Sequence, residues 1–404
     1  MIRVRKHKCD KVILILTLIL MIIGLIIIYV IGPMRANVVN AAYGKDIAPD
    51  YYFKHHLLSV GIALGCFIFA YKFPYEKVSK VAKWILVLAM AAQIFLWLGS
   101  LMGSSLAVCE NGACRWISVF GLMSFQPAEF LKLALVIYLA DFIGRKKKEE
   151  KIGTKDFWIP IATIGASSLL LVIVAQSDLG TGLAIIAIIL GMLLVSEVPL
   201  KQFLTVLGVL VAGGVAVVIM SPYRMERVMT FIGGGDDDSS YHVENAMIAI
   251  GAGGLTGVGI GNSVQATGYL PESINDSVFA ILGETFGFVG LVVIIGIFAT
   301  ILFRMIKVAE RTDDLERRLV AIGVFSWVAM HVVANVMAMT GMIPLTGVTL
   351  PFLSYGGTSM IFVTMAVGFV LQLSCYTGRE ARNENIDSRR WLRRSCDSGR
   401  RGRS

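Results

Sequence analysis

The chain has 404 residues, of which 56% are hydrophobic and 16% are charged, and its mean hydropathy is +0.73. Soluble globular proteins contain about 45–50% apolar and about 25% charged residues, so this composition excludes that class. The formal net charge is +9. Because no basic patch alternates with aromatic residues on a soluble domain, the surplus indicates membrane topology and attraction to anionic lipid, and no nucleic-acid partner is expected.

Apolar runs of roughly 18 residues or more recur along the chain, and each predicts a membrane-spanning helix. The fold class predicted is therefore an all-α integral membrane protein with about ten transmembrane helices. The first run is too long for a cleaved signal peptide, and the fourth is long enough only if it extends back to Pro127. The predicted spans are Val12–Ile31, Leu57–Phe73, Val81–Leu101, Phe130–Ile143, Phe157–Ala175, Leu183–Val198, Phe203–Met220, Val278–Phe303, Leu319–Met339 and Met360–Cys375.

Lys and Arg cluster in the N-terminal segment, in alternate connections and in the C-terminal tail. If ten spans alternate, all these clusters lie on one side, which Lys and Arg mark as cytoplasmic. We therefore expect a multi-pass protein with both termini in the cytoplasm. We expect one membrane domain at residues 1–377, a large extracytoplasmic loop at 221–276 between spans seven and eight, and a basic, disordered tail at 378–404.

The outer connections carry three smaller features. Cys109 and Cys114 share one loop, where they form a disulfide or stay free; metal ligation is disfavoured because no His accompanies them. The Gly run from Gly251 to Gly261 lacks the order of a phosphate-binding loop and predicts close backbone packing or bends. Asp236–Asp238 predicts a solvated turn, with calcium binding as the alternative.

Charged residues also lie within predicted spans. The stretch "QPAEFLKL" places Pro127 at a helix start and puts Glu129 and Lys132 on one helical face. Charges in a membrane face a cavity or each other, so this is either a structural ion pair or part of a substrate site. Arg115, just outside, adds a second cation.

Further polar groups stand at the outer ends of spans. Asp178 either caps the helix that begins near Gly180 or belongs to a site, and Asp276 either caps span eight or acts chemically. A cap does not explain Glu284, about two turns deeper. The stretch Gly341–Met360 predicts a re-entrant or interfacial loop, which membranes tolerate only in buried or cavity-lining positions. Together these groups predict an outward-open cavity with cations and carboxylates, as an enzyme acting on a lipid-linked anion needs.

Five stretches carry a resemblance to a known family: "GACRWI…QPAEFLKL", "DLGTG", "AIGAGGLTGVGIGNS", "YLPESINDSVFAILGE" and "GMIPLTGVTLPFLSYGGTS". The chain resembles the SEDS family (shape, elongation, division and sporulation), the FtsW, RodA and SpoVE type peptidoglycan glycosyltransferases. Its "TGVTLPF" is closer to the division or sporulation type than to the elongation type. The resemblance implies polymerisation of lipid II outside the bacterial cytoplasmic membrane, with Asp276 as the catalytic carboxylate. It also matches Arg115, Glu129 and Lys132 to motif positions.

In the implied reaction, a sugar 4-hydroxyl of one lipid II attacks the anomeric carbon of another, and undecaprenyl pyrophosphate leaves. Asp276 would act as base, and cations would stabilise the pyrophosphate. No cofactor is required, although Mg²⁺ or Mn²⁺ could share that task. The expected partners are lipid II, a class B penicillin-binding transpeptidase, other division proteins and membrane lipids. The predicted substrate-binding residues are Arg115, Glu129, Lys132, Asp178, Arg224, Arg227 and Glu284.

Some positions depart from the family's usual pattern. Ser177 replaces a common Pro, and Ser277 follows the key Asp where Phe is frequent. Thr285 replaces the second Glu of a pair. The stretch "YHVENA" replaces a common "YQxxQS", and its changed residues are His242, Asn245 and Ala246. Two other functions stay open: a lipid II flippase, which intramembrane charges would suit but which lacks an evident inverted repeat, and a non-catalytic division scaffold.

Overall fold

The computed structural model describes residues 9–104, 106–110, 113–119, 123–233 and 238–376, so the predicted tail and most of the Asp236–Asp238 turn lie outside the described residues. Each predicted span coincides with a helix. The helices are α1 Lys11–Tyr43, α2 Tyr51–Lys72, α3 Tyr75–Lys80, α4 Ala82–Leu101, α5 Pro127–Lys148, α6 Lys155–Leu169, α7 Leu179–Val195, α8 Leu200–Ile219, α9 Pro222–Gly233, α10 Asp238–Ala252, α11 Val278–Arg311, α12 Leu315–Met339 and α13 Gly357–Ser374. A π-helical turn, Leu170–Ala175, continues α6, and a 3₁₀ turn spans Gln265–Thr267.

Eight helices in the described part of the chain are long and apolar enough to cross a membrane: α1, α2, α4, α6 with its π-helical turn, α8, α11, α12 and α13. This confirms a multi-pass helical membrane protein. The other two candidates are limited by length and charge, since α7 has 17 residues and α5 carries two buried charges and a basic end. The predicted count of about ten stays a prediction.

Helix α12 lies at the centre of the bundle and packs against α5, α7, α11 and α13. Its inward face is continuous from Leu319 to Met339, and the buried residues there include Trp327, His331 and Asn335. By contrast, no residue of α8 is buried, and this helix lies at the edge of the bundle, where it contacts α7 and α9. Polar groups on α12 are therefore the ones enclosed by protein.

A small sheet is the main addition to the predicted all-helical fold. Strands β1 (Ala107–Glu110), β2 (Ala113–Val119) and β3 (Met123–Phe125) pair antiparallel in chain order. The residues between β1 and β2 are Asn-Gly, a strong hairpin sequence, and β2 holds the β-favouring Trp116 and Ile117. Cys109 faces Cys114 across the hairpin and forms the disulfide that was one of the two interpretations.

The Gly run of the long loop packs its backbone against α11, and this contact accounts for the glycines. That helix breaks at Gly287, whose φ is 67°, and the loop supplies replacement hydrogen bonds: the N–H of Val258 donates to the carbonyl of Glu284 at 2.9 Å. A Cβ at Gly257 would lie 2.2 Å from a carbonyl oxygen of α11. Close backbone packing, as predicted, is the reason for the glycines. The first half of the long loop forms helices α9 and α10.

Two long-range links hold the start of α1. Cys9 forms a disulfide with Cys375 at the end of α13, a pairing across 366 residues that was not predicted. Asp10 caps α1 and forms an ion pair with Arg304 of α11 at 2.6 Å. At its other end, α1 continues about three turns beyond the predicted Ile31, which brings Arg35 to the long loop.

Candidate active site

The loop between α12 and α13, residues 340–356, has no helix or strand, and most of residues 348–354 are buried. Asn335 of α12 holds it: its Nδ2 donates to the carbonyl of Val348 and to the carbonyl of Asp276, each at 2.7 Å. The loop approaches the Asp276 side chain as well, since a Cβ at Gly347 would lie 3.9 Å from Oδ2. As predicted, this irregular backbone is enclosed by protein, and it forms one wall beside Asp276.

Asp276 is not a helix cap, so that interpretation of the sequence is wrong. Helix α11 has Ser277 at its N-cap position, and Asp276 lies one residue outside. The Asp276 side chain is buried, and its Oδ1 makes no hydrogen bond to any described residue. Burial, followed by the charge of Glu272, raises the pKa of Asp276 to about 7, against the opposing effects of its own backbone N–H and of the charge of Arg227. A carboxyl with such a pKa and an unpaired oxygen is suited to accept a proton at neutral pH.

Glu272, whose charge acts on the pKa of Asp276, lies in a strained turn. Its φ is 48°, a backbone conformation that few non-glycine residues adopt. The carboxylate of Glu272 forms an ion pair with Arg35 at 3.3 Å and accepts a hydrogen bond from Asn275. Sequence reasoning missed Arg35 because α1 was expected to end before it.

Glu129 and Lys132 form an ion pair at 2.8 Å, with 4% and 0% of their side chains exposed. Lys132 Nζ also lies 3.0 Å from His331 Nε2 and 4.9 Å from the centre of the Trp327 ring. His331 Nδ1 donates to the carbonyl of Thr349 at 3.2 Å, so Nε2 is the acceptor for both Lys132 and the Trp327 N–H. The structural ion-pair interpretation fits this enclosed cluster.

His331 and Asn335 were missed, although the sequence contains a sign of them. They are four residues apart, which places two polar side chains on one face of an apolar helix. In the structure that face holds consecutive residues of the 340–356 loop, Val348 and Thr349. The ion pair on α5 and the segment with Asp276 are thus joined through α12.

Arg115 and Asp178 meet at the start of α7. Arg115 donates to the carbonyls of Gln176 and Ser177, at 3.3 and 2.8 Å. Asp178 is the N-cap of α7 and accepts from the N–H of Thr181 at 2.9 Å, which confirms the capping interpretation. Ser177 has a φ of 51°, which Pro cannot adopt, so the backbone here requires the departure from Pro.

The two arginines of α9 bind different backbone segments. Arg224 donates to the carbonyl of Ile173 in the π-helical turn at 2.7 Å, and burial lowers its pKa from the ordinary value. Arg227 donates to the carbonyl of Leu345 at 3.4 Å. Its charge acts on the pKa of both Asp276 and His242.

Glu284, which was predicted to bind substrate, has a structural role in this fold. Its carboxylate accepts from the N–H groups of Val264 and Gln265 and from the hydroxyl of Ser263. These bonds hold the start of the 3₁₀ turn against α11. Because both oxygens are engaged by the loop, Glu284 anchors the chain around the site.

Among the residues that the structure describes, no three His, Cys, Asp or Glu side chains gather into a group that could hold a metal ion. The charges of Glu272 and Arg227 act on the pKa of the Asp276 carboxyl, in opposite directions. The arrangement offers a buried base and a neighbouring cation, which is chemistry suited to transfer between a hydroxyl and an anionic leaving group.

Known proteins resemble this chain over most of its length. The family model of FtsW, RodA and SpoVE, described as "Cell cycle protein", matches residues 10–379. The chain is 35% identical over 375 residues to "Stage V sporulation protein E" of Bacillus subtilis (strain 168), which covers 92% of this chain and 99% of that protein. It is 33% identical over 344 residues to "Probable peptidoglycan glycosyltransferase FtsW" of Thioalkalivibrio sp. (strain K90mix), which covers 82% and 84%.

Two solved structures share its fold. A chain from "Structural coordination of polymerization and crosslinking by a peptidoglycan synthase complex" matches with a TM-score of 0.70 at 21% identity, covering 91% of this chain and 97% of that one. The Thermus thermophilus rod shape determining protein RodA matches with a TM-score of 0.63 at 22% identity, covering 91% and 96%. At such low identity these likenesses establish the fold alone.

Proposed function

The chain belongs to the FtsW, RodA and SpoVE family, and from this membership we propose that it polymerises lipid II at the site around Asp276. It is a membrane-bound peptidoglycan glycosyltransferase of division or sporulation. The observation that supports the catalytic assignment is the buried carboxyl of Asp276, held between α11 and the 340–356 loop with one oxygen unpaired among the described residues.

In the proposed reaction, Asp276 takes the proton from the 4-hydroxyl of one lipid II. The oxygen then bonds to the anomeric carbon of a second lipid II, and the bond from that carbon to undecaprenyl pyrophosphate breaks. A sugar hydroxyl is a poor nucleophile at neutral pH, and a positioned base is worth about 10²–10⁴ in rate. Asp276 returns the proton to solvent before the next cycle.

We assign the leaving pyrophosphate to Arg227 and Arg224 of α9, because Arg227 acts electrostatically on Asp276 and α9 borders the 340–356 loop. Arg115 supports the start of α7 instead, since its guanidinium holds two carbonyls there. Mg²⁺ or Mn²⁺ carried by the pyrophosphate would share this task.

Purified protein and lipid II, with no ATP and no second synthase, test this function. A polymerase makes glycan strands under these conditions. A flippase or a scaffold makes none, and a flippase would instead move labelled lipid II across a vesicle membrane.

The matched peptidoglycan synthase complex coordinates polymerization with crosslinking, which supports a transpeptidase partner for this chain, and a class B penicillin-binding protein is the one we propose.

We propose that both termini and the basic connections lie in the cytoplasm, since Lys and Arg favour that side. A single Cys at position 240 should then react with a membrane-impermeant thiol reagent in intact cells, whereas one at position 148 should react only after permeabilisation. The native cysteines are replaced by Ser in both proteins as a background control. Labelling of both positions from the same side would overturn the orientation and would remove Asp276 from the outer face.

We expect the polymerisation rate to rise with pH and to be half-maximal near pH 7, because only ionised Asp276 is a base and its pKa is about 7. Glu272→Gln removes the negative charge that contributes to this pKa, so the acid limb should move to lower pH. Glu244→Gln, an exposed carboxyl of α10, is the matched control and should leave the limb in place. An unmoved limb in Glu272→Gln would separate Glu272 from Asp276.

A further inference from the structure

A buried hydrogen-bond chain connects α10 to the segment that carries Asp276. His242 Nε2 lies 2.5 Å from the hydroxyl oxygen of Ser277, and that hydroxyl lies 2.9 Å from the carbonyl oxygen of Pro271. His242 is 5% exposed and Ser277 is fully buried. Both residues depart from the usual pattern of the family, and the structure joins the two departures in one contact.

The direction of the chain follows from its groups. Because a carbonyl oxygen can only accept a hydrogen bond, the Ser277 hydroxyl donates its single hydrogen to the carbonyl of Pro271. The hydroxyl oxygen therefore accepts from His242, whose Nε2 carries the hydrogen. Burial, followed by the charge of Arg227, lowers the pKa of His242 to about 4, so the ring is neutral at physiological pH.

The bond from Ser277 to Pro271 closes the turn that contains Asp276, and the bond from His242 fixes this turn to α10. In addition, Asn335 of α12 donates to the carbonyl of Asp276. The backbone on either side of the carboxyl is thus held by two helices that are distant in sequence. A catalytic base must be held to within about 0.5 Å of its productive position, and a displacement of about 1 Å can cost about 10²-fold in rate.

We propose that His242 is a positioning residue for Asp276, acting through the hydroxyl of Ser277. The inference rests on the proposed function, in which Asp276 is the base. It gives α10 an indirect part in the reaction, as the helix that sets the orientation of the base, and it gives one role to the two residues, His242 and Ser277, that depart from the family pattern.

The test compares His242→Ala, His242→Asn and His242→Gln in full-length protein. Gln carries an N–H donor as many bonds beyond Cβ as Nε2 of His, whereas the donor of Asn is one bond shorter. We expect kcat to fall on the order of 10- to 100-fold in His242→Ala and His242→Asn, with KM nearly unchanged, and His242→Gln to restore it. Asn245→Ala is the matched control, because that buried side chain bonds within α10 itself, to the carbonyl of Tyr241.

Ser277→Ala supplies the second half of the test. It should match His242→Ala, and the double variant should be no slower than either single variant, because both remove the same chain. Equal kcat in His242→Ala and wild type would overturn the proposal, as would a slow His242→Gln. If His242→Ala does not fold, Ser277→Ala, which removes one buried oxygen, gives the same comparison.

Amide hydrogen exchange separates this inference from the proposed function. Exchange in residues 272–278 should speed up in His242→Ala and Ser277→Ala but stay slow in His242→Gln and Asn245→Ala. This readout needs no polymerisation. If the wild-type protein is inactive, the proposed function is refuted, but hydrogen exchange still shows whether His242 holds the turn. If the enzyme is active and exchange is unchanged in His242→Ala, the positioning role is refuted.

Discussion

Asp276→Asn is expected to lower glycan polymerisation by a factor of about 10²–10⁴, because an amide cannot accept the proton of the sugar hydroxyl. The fold should survive. Asn has the same shape, the carbonyl bonded by Asn335 belongs to the backbone, and Asp276 caps no helix. The measurement is glycan-chain formation from lipid II by purified protein, beside a thermal unfolding curve.

Stability gives this variant an internal control. The pKa of Asp276 is raised in the folded protein, so its stabilising contribution is complete below the unfolded pKa and is lost as pH rises through about 7. Asn does not titrate. The variant should therefore be at least as stable as the wild type at pH 8, where the wild type carries a buried charge. Near wild-type product from a stable Asp276→Asn would refute the catalytic role, and Glu272 would be the next carboxyl to test.

Local patterns in the sequence located the helices and made Asp276 one candidate for a functional carboxyl, because both depend on nearby residues; its catalytic role was implied by the family resemblance. Apolar runs define spans, and the break of polarity before span eight marks Asp276. The sequence could not show whether Asp178 and Asp276 are helix caps or functional groups, because the answer depends on the exact residue at which each helix starts. Asp178 became the cap and Asp276 did not.

What escaped prediction depends on contacts between distant parts of the chain. His242 and Ser277 are 35 residues apart, and nothing local indicates that they meet. Arg35 and Glu272 are 237 residues apart, and Arg35 reaches the loop only because α1 continues past Pro33. The same holds for the role of Glu284: a carboxyl two turns into a helix suggests a site until the loop that occupies it is known.

Breaking the ion pair between Glu129 and Lys132 on α5 is expected to cause a large loss of stability. Lys132→Met should lower the free energy of unfolding by about 3–5 kcal/mol, because it leaves the buried carboxylate of Glu129 without a cation. The double variant Glu129→Gln/Lys132→Met removes both charges and should recover most of the loss, since a neutral pair of similar volume needs no charge compensation. Unfolding in detergent, followed by intrinsic Trp fluorescence, measures all three proteins.

Polymerisation by the double variant then decides between structure and substrate binding. If Glu129 and Lys132 only hold α5 against α12, the stable double variant should be active; an inactive but stable one would return Lys132 to the substrate site. Exchanging the two residues is a poorer test. The exchange replaces the Lys132 donor to Nε2 of His331 by a carboxylate, which can bond there only if the imidazole takes up a second proton. A failed exchange would therefore not separate a structural pair from a substrate site.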